Sequence, residues 1–145
     1  MKKNLSILVA LLAASLIISA QSGDPLVSKC TMSAGSNATY LKDFRIQLGK
    51  GTAQEELRFK QVFPLSKNMK YKFTLCNADN SAGELIMRLK DDTGRTILQT
   101  FDAKSGKTYP SVEFVCNKTG TYQISFDFIN FNQGTGVGVV SLIKE

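Results

Sequence analysis

Apolar and polar residues alternate one by one in segment after segment of this chain, and that period of two limits its fold more than any other feature. Phe44, Ile46 and Leu48 alternate with Asp43, Arg45 and Gln47. Leu57 and Phe59 alternate with Glu56, Arg58 and Lys60, and Tyr71, Phe73 and Leu75 with Lys70, Lys72 and Thr74. Leu85, Met87 and Leu89 repeat the pattern, broken only by Ile86. The clearest run sets Tyr122, Ile124, Phe126 and Phe128 on one face and Gln123, Ser125 and Asp127 on the other. Successive side chains of a strand point to opposite faces, so each run reads as a half-buried strand. Further strands are expected over 96–100, 112–116 and 137–143, where Gly134, Gly136 and Gly138 favour close packing or a bulge.

The connectors carry turn chemistry: 77–83 is rich in Asn, Asp, Ser and Gly, and Gly94 and Gly120 stand where a positive φ costs little. Seven or eight short strands, each with one apolar face, need a second sheet to cover that face. The expected fold is therefore all-β, an antiparallel β-sandwich of seven to eight strands over residues 41–145. Helical periodicity is weak after residue 20, so residues 21–40 read as an irregular N-terminal arm. At 145 residues one domain is expected.

Lys2 and Lys3 precede an apolar run over 5–18, interrupted by Ser6 and Ser15. The run is shorter than the roughly 20 residues a bilayer helix needs, and it matches the basic and apolar regions of a secretory leader. Residues 1–20 are read as a signal peptide cleaved after Ala20, with Ser22 as the alternative cleavage point. No later segment is apolar enough for a membrane helix.

The order of Tyr71, Phe73 and Leu75, then Leu85, Leu89, Asp91 and Gly94, then Phe114 and Thr119-Gly120-Thr121-Tyr122 resembles the jelly-roll-like sandwich of pre-peptidase C-terminal domains and GOLD-type modules. The likeness covers roughly residues 55–143 and implies a non-catalytic binding or accessory domain. The leader and the stretch from Thr39 to Phe44 are also similar to small exported envelope proteins of Bacteroidota, among them a plug-like accessory of the type IX secretion translocon. That likeness implies a protein partner in an outer-membrane complex, a role in protein transport, and a periplasmic or outer-membrane location.

Side-chain chemistry narrows the function classes. The chain has no histidine, which removes Ser-His-Asp and Cys-His catalysis and the commonest zinc ligand. Glu55/Glu56 and Asp91/Asp92 are adjacent pairs, unlike the carboxylates that face each other across a glycosidase cleft. The 77–88 segment fails the EF-hand template at Ala82 and Arg88. No enzyme, metal or cofactor is expected.

The net charge is +6, falling to +4 once Lys2 and Lys3 leave with the leader. Its lysines and arginines are dispersed over most strands and turns, which argues against nucleic acid and fits solubility or attraction to an acidic partner.

Three cysteines, Cys30, Cys76 and Cys116, imply one disulfide in an oxidising compartment and one odd thiol. Cys30–Cys116 is the expected pair, with Cys76 as the alternative partner. Phe131 breaks the strand alternation beside a glycine-rich tip and, with Tyr40 and Tyr109, is a candidate contact residue. The expected function is a protein-binding accessory of the cell envelope. The alternative is a glycan- or lipid-binding module.

Overall fold

The alternating runs form eight strands in a computed structural model that describes residues 24–144. They are β1 (Ala38–Leu48), β2 (Phe59–Leu65), β3 (Lys70–Asn77), β4 (Leu85–Lys90), β5 (Thr96–Gln99), β6 (Ser111–Val115), β7 (Gly120–Phe128) and β8 (Gly134–Ile143). The expected signal peptide, residues 1–20, lies outside the described residues.

Two antiparallel four-stranded sheets result, ordered β1-β8-β3-β6 and β2-β7-β4-β5. Strand β1 pairs with β8, β2 with β7, β3 with β6 and β4 with β5. The chain is thus one long hairpin rolled over on itself, the jelly-roll form of an all-β sandwich.

Inward faces of both sheets meet in one core that includes Phe44, Phe73, Met87, Ile124, Phe126 and Val140. Phe126 packs on Phe44 and Phe59 with ring centroids 5.4 and 5.9 Å apart. The glycines of β8 supply the close packing read from the sequence. A Cβ on Gly138 would lie 2.5 Å from the Phe126 ring, and one on Gly134 would lie 2.5 Å from Phe128. Both phenylalanine rings of β7 therefore rest directly on the backbone of β8.

The structure departs from the sequence reading at two boundaries. Residues 21–40 are not irregular throughout: Pro25–Ser33 form a helix, α1, and β1 begins at Ala38. Asp24 caps α1 by accepting from the Leu26 N–H at 2.8 Å, Pro25 occupies the first turn, and Gly35 follows the last turn at φ 104°. These signals surround only nine residues with few apolar positions, so helical periodicity never develops. Leu57 also differs from expectation. It lies ahead of β2 and outside the central core, although it is only 3% exposed.

The disulfide joins Cys30 to Cys76, which corrects the expected Cys30–Cys116 pair. The reason is the side of the sheet on which each cysteine lies. Cys116 packs in the core between the sheets, with Tyr71 and Tyr122. Helix α1 instead lies across the outer face of β3 and β8, where Cys30 clusters with Val137, Val139 and Cys76. A sheet separates Cys30 from Cys116, and Cys116 is the free, buried thiol.

Candidate functional site

The outer face of the second sheet has no helix over it among the described residues, and it carries a groove of about 450 Å³. Its lining includes Leu57, Ile86, Phe101, Ile129 and Phe131, with Arg88 beside them. The volume falls within the range of ordinary ligand sites, and the apolar floor is rimmed by charged side chains of both signs, Glu55 and Asp102 as well as Arg88 and Lys107. Ile86, the residue that interrupts the alternation of β4, explains itself here. It points outward, lies opposite Asp127 of β7, and is only 5% exposed because the segments around the groove cover it.

Arg88 also points outward from β4 and is half-buried. Its guanidinium lies 5.4 Å from the Phe101 ring centroid, donates from Nη1 to the Glu55 carbonyl at 3.1 Å, and from Nε to Gln99 Oε1 at 3.3 Å. These contacts fix its orientation. Among the described residues no carboxylate comes within ion-pair distance of it.

One wall is built on a buried ion pair. Asp127 is fully buried at the end of β7, and Arg58 grips it through Nε (3.0 Å to Oδ2) and Nη2 (2.9 Å to Oδ1). The Arg58 and Phe128 N–H groups complete the carboxylate at 2.9 and 2.7 Å. A buried carboxylate is tolerated when its oxygens are satisfied in this way. The same guanidinium donates to the carbonyls of Gly49, Phe131 and Asn132, so it ties the 49–58 connector to the turn after β7.

That turn is a single 3-10 turn, Ile129–Phe131, in which Asn130 and Phe131 have φ values of 59° and 55°. The left-handed region costs a non-glycine residue about 1–2 kcal/mol, and a bulky side chain is rare there. The Gly51 N–H donates to the Phe131 carbonyl at 2.7 Å, and the Arg58 guanidinium lies 6.0 Å from the Phe131 ring centroid. The turn thus holds Phe131 half-buried at the groove. Strain retained by surrounding contacts is characteristic of functional segments.

Of the three contact candidates, only Phe131 lines this groove. Tyr40 lies on β1 in the other sheet, where its hydroxyl donates to Asp43; this hydrogen bond raises its pKa above the ordinary tyrosine value. Tyr109 is exposed in the crossover from β5 to β6. The sequence reading missed Leu57, Ile86, Arg88 and Phe101. Only Ile86 carried a signal in the sequence, as an apolar residue out of phase in its strand.

A second cleft, about 320 Å³, opens at the sandwich end beside Asp91, Asp92, Lys118 and Tyr122. Asp91 is committed to its own turn. Hydrogen bonds from the Thr93 hydroxyl, above all, and from the Thr93 and Arg95 N–H groups hold its carboxyl below the usual carboxylate range. The Tyr122 hydroxyl donates to the Lys118 carbonyl and lies 3.6 Å from Cys116 Sγ. The Cys116 contact foremost, with burial and the charges of Asp92 and Asp91, pushes Tyr122 up to about 12. Among the described residues no group of three or more Cys, Asp or Glu is placed to hold a metal ion.

Compared with known proteins, the chain matches no family model and no curated protein.

Proposed function

We propose that this protein is an exported, non-enzymatic β-sandwich module that binds a protein partner at the bacterial cell envelope, as an accessory or plug of an outer-membrane complex. The observation that carries the reading is the groove on the second sheet. An apolar floor, the flanking Arg88 and an aromatic held on a strained turn match the anatomy of protein contact sites, whose energy concentrates in aromatic and arginine side chains. The Cys30–Cys76 disulfide supports export, because such bonds persist in oxidising compartments. The leader reading and the resemblance to accessory sandwich modules point the same way.

A glycan reading has its own support on the other side of the 129–133 turn, where Arg58 bridges Gly49 and Phe131. A cleft of about 300 Å³ there is lined by Gln47, Asn80, Ser81, Gln133 and Thr135, side chains suited to sugar hydroxyls.

The test is a cross-linked pull-down of the tagged protein from its own cell envelope, read by mass spectrometry. Recovery of one outer-membrane protein in constant ratio is the expected result. Recovery of nothing above background, with retention on polysaccharide, overturns the protein-partner reading in favour of the glycan one.

A further inference from the structure

The Arg88 groove has a chemistry that specifies what kind of segment it takes. Its floor requires an apolar group. Leu57 and Ile86 close the floor and are almost fully buried, while Phe101, Ile129 and Phe131 along the walls are half-buried and keep apolar surface that gains by losing water. Beside them stands a half-buried guanidinium with a fixed orientation; Glu55 and Asp102 also line the groove, but among the described residues no carboxylate comes within ion-pair distance of Arg88. Arg58, on the adjoining wall, is by contrast fully engaged by Asp127. A half-buried cation without a counter-ion is stabilised by an incoming anion, and the guanidinium fork favours a carboxylate that accepts two parallel hydrogen bonds.

The aromatic rings argue against a sugar in this place. Sugars stack on open ring faces, but one face of Phe101 carries the Arg88 guanidinium and one face of Phe131 carries that of Arg58. What the rings still offer is apolar contact at the groove wall.

We propose that this groove binds a short acid-bearing segment of a protein partner, with an aliphatic or aromatic side chain against Phe101, Ile129 and Phe131 and a neighbouring carboxylate on Arg88. The proposal rests on the protein-binding reading above and names the chemistry of its partner. The interaction weakens with salt, because one of its two components is an ion pair at a partly exposed site.

The test pans a random dodecapeptide library against the oxidised protein and measures the enriched peptides by fluorescence anisotropy. Enriched sequences should carry Asp or Glu within two positions of a large apolar residue. Arg88→Gln should weaken their binding at least tenfold, and Arg88→Lys should recover part of the loss. Amide shifts on binding should fall at Ile86, Phe101 and Phe131. Melting curves of both variants separate loss of the contact from loss of the fold, and Phe131→Ala provides an independent probe of the apolar half. Peptides without an acid, binding indifferent to Arg88→Gln, or no enrichment at all overturns the proposal.

The pull-down separates the two levels. A partner recovered equally by wild type and Arg88→Gln defeats the groove assignment and leaves the protein-binding reading intact. Failure to recover any partner, with binding of laurate or of polysaccharide instead, defeats the reading itself.

Discussion

The two outer faces of the sandwich are closed by different chemistry. On the first sheet, nine residues of α1 lie across β3 and β8 and are held there covalently. On the second sheet, an ion pair between Arg58 and Asp127 pins two connectors at one end and leaves a groove beside them. The covered face is not wholly apolar. The Thr74 and Ser141 hydroxyls are buried on it without hydrogen-bond partners among the described residues. A short helix over such a face gains little from burial alone, which gives the disulfide its purpose. The open face has a satisfied polar clamp and an apolar floor, the reverse arrangement. One face is sealed by a bond that needs no perfect packing beneath it. The other is shaped by polar contacts that leave apolar surface available.

Substitutions on each side can break this contrast. The largest effect is expected from Asp127→Ala, which leaves the Arg58 guanidinium beside a vacated site and frees the 129–131 turn. Removing one partner of a buried pair costs about 3–5 kcal/mol. Urea denaturation should show that loss, together with loss of binding at the groove. A cost below about 1 kcal/mol would mean that the clamp does not hold the turn.

Cys76→Ala is expected to cost about 4 kcal/mol, from the loop entropy of a bridge spanning 46 positions. Reductant should reproduce the loss in the wild type and add nothing to the variant. Because the bond lies on the opposite face, groove affinity should be unchanged wherever the protein is still folded. A change in affinity would show that the two faces are coupled.

Tyr122, between the sheets, supplies a pH test. Its folded-state pKa of about 12 exceeds the ordinary value of 10, so the neutral hydroxyl is favoured by folding. Its contribution is complete below pH 10 and is lost as the pH rises towards 12. Tyr122→Phe should cost about 1 kcal/mol at neutral pH, from the lost hydrogen bond to the Lys118 carbonyl. The variant should also flatten the alkaline limb of a stability–pH curve measured by circular dichroism. An unchanged limb would place the alkaline transition elsewhere.

The smallest effect sharpens the account of the covered face. Ser141→Ala removes a buried hydroxyl that has no partner among the described residues and should raise stability by up to about 1 kcal/mol. A loss of stability in thermal melts would mean that the hydroxyl is satisfied beneath α1.

Much of the architecture is legible in the residues, for a local reason. The pleat forces alternate side chains to opposite faces, so Phe44, Phe73, Ile124 and Phe126 declare their inward direction wherever their strands pair. The site was less legible. Phe131 was recognised because it breaks the alternation, but Arg88 reads as an ordinary outward cation and Phe101 as part of a connector. Their meeting depends on β4 lying beside both β5 and β7. The helix was missed because only Leu26, Val27 and Cys30 among its nine residues pack on the sheet, too few to set up a period.

By itself the sequence determined that this chain forms strands, which faces of those strands turn inward, and that the faces must be covered by a second sheet. Those outcomes follow from the side-chain period and the cost of leaving apolar rows in water. Only the tertiary structure decided which cysteine meets Cys30, which outer face α1 covers, and where a groove is left. Those depend on pairings such as β1 with β8 and β2 with β7, made between segments distant in sequence, and no local pattern encodes which strand will be the neighbour.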